Sequence, residues 1–192
     1  MVRTPSSMLD LGTRVPEFSL PDAVSGRTVT HELAKDHVTV VMFICNHCPF
    51  VKHVLGELGR LDADYSPGGV RFVAINSNDL KAHPDDSPEH MRALAESRGW
   101  TFPFLFDASQ GVARAFRAAC TPDFYVFDRG GALVYRGQLD DSRPGNDVPV
   151  TGHDLRAALD AALAGRPVLA EQRPSLGCNI KWKAGAEPAY FG

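Results

Sequence analysis

Residues 38–49 read Val38-Thr39-Val40-Val41-Met42-Phe43-Ile44-Cys45-Asn46-His47-Cys48-Pro49, and this stretch decides the fold. Its first seven residues show almost no polar alternation, the pattern of a strand covered on both faces of a parallel sheet. Two thiols separated by two residues follow at once. Beyond them Phe50, Val51, Val54, Leu55, Leu58 and Leu61 recur at helical spacing, with Lys52, His53, Glu57, Arg60 and Asp62 on the other side. The cysteines therefore stand where a buried strand passes into a helix that begins near Cys48. A helix start offers free backbone N–H groups and a positive dipole end, and both favour a thiolate. The pair suits reversible dithiol/disulfide chemistry. An imidazolium beside a thiolate lowers the thiol pKa, so His47 is a candidate tuning residue; its plain alternative is an exposed histidine.

Working outward, 70–75 is a second buried strand that completes a right-handed βαβ unit. Ser87-Pro88-Glu89 supplies an N-cap, a first-turn proline and a dipole-favourable acid for a helix running to about Arg98 and stopping at Gly99. The pattern then predicts a short strand at 104–106, a helix over about 109–117, and an antiparallel hairpin of 124–127 with 132–135. A final helix is expected over about 153–164, preceded by Thr151 and closed by Gly165. Residues 1–37 are rich in Pro, Ser, Gly and Thr and read as a short hairpin laid onto the main domain. Residues 167–192 read as an irregular tail that still holds Cys178 and Trp182. One domain over 1–192 is the expectation.

Bulk properties narrow the function. The 192 residues are 44% hydrophobic and 22% charged with a net charge of −3, the composition of an ordinary soluble protein. Nucleic-acid and membrane partners are not expected. No secretory signal and no apolar stretch of membrane-spanning length is visible, so the expected compartment is the cytoplasm. Four cysteines are too few for a disulfide scaffold, and a reducing compartment would not maintain one. A disulfide here is expected to be functional.

The strand–CxxC–helix unit, the strands after it, the Thr121-Pro122 step and the closing hairpin and helix resemble the thioredoxin fold, and within it the peroxiredoxin-like (AhpC/TSA-type) branch. The resemblance covers most of the chain. It implies an α/β, thioredoxin-like fold: a central mixed β-sheet flanked by helices, with an N-terminal β-hairpin extension. It also implies a cis Thr121–Pro122 bond opposite the CxxC turn. Peroxiredoxins carry Thr-x-x-Cys-Pro, in which the threonine hydroxyl and a distant arginine position the peroxide. Cys48-Pro49 matches the Cys-Pro of that motif, Cys45 replaces the threonine, and Pro122 stands near the usual place of the arginine. The departure favours dithiol exchange over peroxidase chemistry. The strings Cys45-Asn46-His47-Cys48-Pro49-Phe50-Val51-Lys52-His53 and Gly177-Cys178-Asn179-Ile180-Lys181-Trp182-Lys183 resemble a peroxiredoxin-like subgroup with no agreed substrate. Thioredoxin logic makes Cys45 the attacking thiol and peroxiredoxin logic makes it Cys48; the sequence leaves both open.

Three functions are carried forward. The first is a thiol-disulfide oxidoreductase cycling Cys45 and Cys48 through a mixed disulfide, with Pro49, Thr121 and Pro122 supporting the site. The second is an antioxidant peroxidase in which Cys48 becomes a sulfenic acid that Cys45 resolves. The third is a redox sensor or binding module. Expected partners are protein or small-molecule disulfides and thiols, hydroperoxides in the second case, and a cellular reductant; no cofactor and no metal is expected. Cys120, beside the proline step, is a candidate redox residue or a small buried apolar one. Cys178 is a third redox partner folding over the site or a structural residue. Arg143 supports a thiolate or bound anion, or belongs to a solvated loop. A zinc set of Cys45, His47, Cys48 and His53 is disfavoured because four ligands within nine residues across a helix start are geometrically awkward.

Overall fold

β-Branched and aromatic residues make up most of the five strands at the centre of the molecule, the types that fit a pleated, buried surface. The computed structural model describes residues 3–190; the outermost ends of the 1–37 and 167–192 segments lie outside the described residues. In chain order the elements are β1 (Arg3–Pro5), β2 (Ser19–Pro21), β3 (Thr28–Thr30), β4 (Thr39–Phe43), α1 (Pro49–Tyr65), β5 (Arg71–Asn76), α2 (Pro88–Arg98), β6 (Phe104–Phe106), α3 (Gly111–Ala115), β7 (Cys120–Thr121), β8 (Asp123–Phe127), β9 (Leu133–Gly137), α4 (His153–Leu163) and β10 (Leu176–Asn179).

Five strands form a mixed sheet in the order β6-β5-β4-β8-β9. β4 pairs parallel with β5 and antiparallel with β8, which places the 38–44 run at the centre. Val40 and Met42 face a cluster built from α1, α2 and α4, while Val41 and Phe43 face a second cluster that includes Phe18, Leu20, Val112 and Phe116. Every β4 residue is buried as a result, and the run reads apolar throughout. Leu58 of α1 is fully buried and contributes about 2 kcal/mol by its transfer from water. No helix among the described residues is long and apolar enough to cross a membrane.

The expected N-terminal hairpin is present as β2 paired antiparallel with β3, its turn held by the Asp22 carboxylate accepting from the Val24 and Ser25 N–H groups. The tail over 167–192 is not wholly irregular. It carries β10, which lies between β1 and β7 in a separate three-stranded antiparallel sheet. A four-residue strand of sequence Leu-Gly-Cys-Asn has little β propensity, and its order comes from partners distant in sequence. One helix starts later than expected, and another starts where expected on a different cap. α3 begins at Gly111 because Gln110 sits at φ 62°, its side-chain amide donating to the Ser77 and Lys181 carbonyls. α4 is capped at Gly152 rather than Thr151, and the Asp140 carboxylate accepts from both N–H groups at 2.7 Å.

Candidate active site

β4 delivers the chain to the sheet's carboxyl edge, and Pro49, with its fixed φ and no N–H to leave unpaired, opens α1 with Cys48 as its N-cap. The turn between them is anchored by Asp86, a fully buried carboxylate at the end of the 84–86 turn. One oxygen accepts from the Asn46 N–H (2.8 Å) and the His47 N–H (3.1 Å). The other accepts from His47 Nδ1 (2.5 Å) and Asn78 Nδ2 (2.8 Å), while Asn76 Nδ2 donates to the Asp86 carbonyl. Burial alone would raise the Asp86 pKa; these donors outweigh it and hold the carboxyl below its ordinary value.

The second wall is the proline step. The Thr121–Pro122 bond is cis, as expected. Thr121 Oγ1 lies 3.5 Å from Cys45 Sγ, and the Thr121 carbonyl lies 3.3 Å from Cys48 Sγ. The third wall is β10, whose Cys178 pairs with Thr121. Cys45, Cys48 and Cys178 thus meet in one buried cluster, and none of the chain's four cysteines is in a disulfide.

The three thiols are not equivalent. Hydrogen bonds from Cys178 and then Cys45 hold Cys48 well below the ordinary thiol pKa against the opposing effect of burial, and the Val51 N–H at the helix start adds to this. As a neutral thiol Cys48 donates to the Thr121 carbonyl; ionised, it is the common acceptor of its neighbours. Burial, followed by the hydrogen bond to Cys48 and the Asp86 charge, pushes Cys45 up. The hydrogen bond to Cys48 and then burial push Cys178 up.

His47 Nδ1 is 3.8 Å from Cys45 Sγ, so the imidazole borders Cys45 rather than Cys48. Its ring stacks on His83, with centroids 4.3 Å apart and planes 11° apart, and burial and the His47 charge lower the His83 pKa. Cys45, His47 and Asp86 bring one ligand atom each within 4.8 Å of one another, the chemistry of a metal site. The 2.5 Å between His47 Nδ1 and Asp86 Oδ2 is a hydrogen bond's span. Two ligands about 2 Å from one tetrahedral ion stand roughly 3 Å apart or more, so the His47–Asp86 pair is spaced for a shared proton. The four-residue zinc set is not assembled, since His53 Nε2 instead bonds Ser142 Oγ at 2.7 Å.

Cys120 is fully buried with its sulfur toward the Pro122 and Ser175 carbonyls, and burial raises its pKa. Arg143 lines a pocket with Phe50, His53, Pro122 and Ser175. Its guanidinium is spent on the Asp140 and Ser142 carbonyls and Gln138 Oε1, and it bonds no thiol. Asp86, Asn76 and Asn78 are not among the residues the sequence singles out. Asn76 and Asn78 have a signal in their position: polar Asn76-Ser77-Asn78 closes and follows β5, the strand beside β4, at the sheet edge where α/β proteins place their sites.

A central mixed sheet, a CxxC turn at its carboxyl edge and a facing cis-proline define a protein of the thioredoxin fold. More narrowly, the chain belongs to the AhpC/TSA family, whose profile matches residues 11–136. It is similar over 97% of its length to an uncharacterized conserved protein from Geobacillus kaustophilus, with 58% identity, 99% of that chain covered and a TM-score of 0.94. It is likewise similar to a hypothetical protein from Sinorhizobium meliloti 1021, with 50% identity, 95% of this chain and 100% of that one covered, and a TM-score of 0.91. A putative thiol:disulfide interchange protein DsbE from Chlorobium tepidum shares the fold at 21% identity and a TM-score of 0.64, with 81% of this chain and 99% of that chain covered. Comparison with curated proteins gives no match.

Proposed function

We propose that the protein is a thiol-disulfide oxidoreductase in which Cys48 attacks and Cys45 resolves. The observation that carries this reading is the position of Cys48: N-cap of α1, acceptor for two neighbouring thiols, and the one cysteine among the three whose pKa is lowered. The Cys48 thiolate attacks one sulfur of a substrate disulfide, forming a mixed disulfide and releasing the other sulfur as a thiolate. Cys45 then gives up its proton and attacks Cys48 Sγ. The substrate's remaining thiolate leaves with the electron pair of the broken bond, and the Cys45–Cys48 disulfide is returned to the dithiol by a cellular thiol reductant. Pro122 and Thr121 form the face against which a protein or small-molecule disulfide docks.

A second reading is favoured by the enclosure of Cys48, which has 0% exposure and admits small reagents best. In it the Cys48 thiolate attacks a hydroperoxide, expelling an alkoxide or hydroxide and becoming a sulfenic acid. Cys45 condenses with that acid, releasing water and giving the same disulfide.

Insulin reduction and peroxide consumption, each measured with an excess dithiol donor, separate the two. The first reading expects catalytic insulin reduction that Cys48→Ser abolishes. Peroxide turnover without insulin reduction would replace it by the second. Stable oxidation with neither activity would leave a sensor.

A further inference from the structure

The third sulfur of the site lies outside the CxxC motif and beyond the segment that matches the family, which ends at residue 136. β10 reaches the active-site face because residue 177 is glycine. A Cβ there would stand 2.0 Å from the Thr121 carbonyl oxygen and 2.6 Å from its carbon, so no other residue fits without moving the strand away. Cys178, the next residue, pairs with Thr121, whose carbonyl is 3.3 Å from Cys48 Sγ and whose hydroxyl is 3.5 Å from Cys45 Sγ. Its thiol hydrogen-bonds Cys48. Cys48 is therefore flanked by thiols from two separate elements, Cys45 on the turn after β4 and Cys178 on β10.

We propose that Cys178 is a second resolving thiol for Cys48, so that the oxidised protein exchanges between a Cys45–Cys48 and a Cys48–Cys178 disulfide. The inference rests on the dithiol reading of the site given above. The step is an isomerisation and needs no outside reagent. The Cys178 thiol loses its proton and its sulfur attacks Cys48 Sγ. The Cys48–Cys178 bond forms as the Cys45–Cys48 bond breaks, and Cys45 leaves with the electron pair and takes up a proton. Neither oxidation nor reduction occurs overall.

The surroundings of Cys178 suit this role. The Phe50 N–H and the Lys181 charge both favour its thiolate, while the largest influence against ionisation is the bond to Cys48. Once Cys48 is tied into a disulfide it carries no negative charge, and that obstacle falls away. Cys178 becomes easier to ionise when a disulfide on Cys48 awaits attack. The consequence is a covalent link that moves from the CxxC turn to the C-terminal strand.

The test is disulfide mapping of the full chain by mass spectrometry after oxidation with diamide, for wild type, Cys45→Ser and Cys178→Ser. Cys45 and Cys48 lie in one tryptic peptide, 36–52, whereas Cys178 lies in another, so the two disulfides give different products. The expected result is both linkages in wild type, Cys48–Cys178 alone in Cys45→Ser, and Cys45–Cys48 alone in Cys178→Ser. If Cys45→Ser leaves Cys178 alkylatable while wild type forms Cys45–Cys48, the inference fails and the dithiol function stands. If wild type forms neither linkage, both fail. Glutathione added to Cys45→Ser gives a second readout: the mixed disulfide on Cys48 is transient, and becomes persistent when Cys178→Ser is added.

Discussion

Asp86 and His47 share a 2.5 Å hydrogen bond between Oδ2 and Nδ1, and the same buried carboxylate grips the backbone N–H groups of residues 46 and 47. One side chain thereby sets the shape of the CxxC turn and the orientation of its histidine. Asp86→Asn places an NH2 against one set of donors, and loss of those bonds at a buried site costs about 2 kcal/mol or more. Thermal unfolding should show the loss. Because the Asp86 charge is one cause that raises the Cys45 pKa, the variant should also let Cys45 ionise at lower pH. Alkylation of Cys45 as a function of pH reads this directly, and an unchanged profile rules out the electrostatic part. The carboxyl's folded pKa lies below its unfolded one, so its contribution to stability is present above the ordinary carboxylate range and is lost as pH falls through the folded value.

Thr121→Val removes a hydroxyl while keeping the side chain's shape. The Thr121 hydroxyl favours the ionised form of both Cys45 and Cys48, so each thiol should titrate higher in the variant. Since Cys48 lies far below neutral pH, its thiolate fraction near pH 7 barely changes. The acid limb of the pH–rate profile should move upward while the neutral plateau drops by no more than about tenfold. An equal drop at all pH values would show that Thr121 acts only by shape.

The centre of the fold was legible in the sequence because its signals are local. An apolar run covered on both faces, the CxxC turn and the Ser87-Pro88 start of α2 each carry their own chemistry within a few residues, and α2 indeed has Ser87 as N-cap and Gly99 closing it at φ 63°. The site was legible only in part. Cys45, Cys48, Thr121 and Pro122 come together as the motif implied, whereas Arg143 turns to its own loop. Asp86 and β10 were invisible for one reason: their roles come from partners distant in sequence. Asp86 contacts residues about forty positions upstream, and β10 meets β7 from far along the chain and β1 across most of it. Neither leaves a periodicity or a propensity to read.

Asp123 stands one residue past the cis-proline, fully buried, with Tyr125 Oη donating at 2.8 Å and Ser6 Oγ at 3.0 Å. Burial pushes its pKa up to about 7 against these hydrogen bonds. A folded pKa above the unfolded one contributes stability that is full below the unfolded value and lost as pH rises through the folded value. Ionised Asp123 therefore costs the fold a few kcal/mol on the alkaline side. The melting temperature of wild type relative to Asp123→Asn should fall between about pH 4 and about pH 7. A constant difference across that window would mean that Asp123 stays in one protonation state.

Gly177→Ala tests whether β10 is held where the site needs it. The added methyl would stand 2.0 Å from the Thr121 carbonyl oxygen, a backbone atom that cannot swing aside. Either the β7–β10 pairing opens or the proline loop shifts, at a cost of about 3 kcal/mol for overpacking of this kind. The variant should melt several degrees lower than wild type. Cys178, 3% exposed in the native protein, should become reactive to alkylation at concentrations of denaturant that leave the central sheet intact. Cys48 should then titrate higher, because the Cys178 hydrogen bond that does most to hold it down is gone. A Gly177→Ala protein with wild-type stability and a protected Cys178 would show that the strand accommodates the methyl and that the close approach is not what fixes the third sulfur.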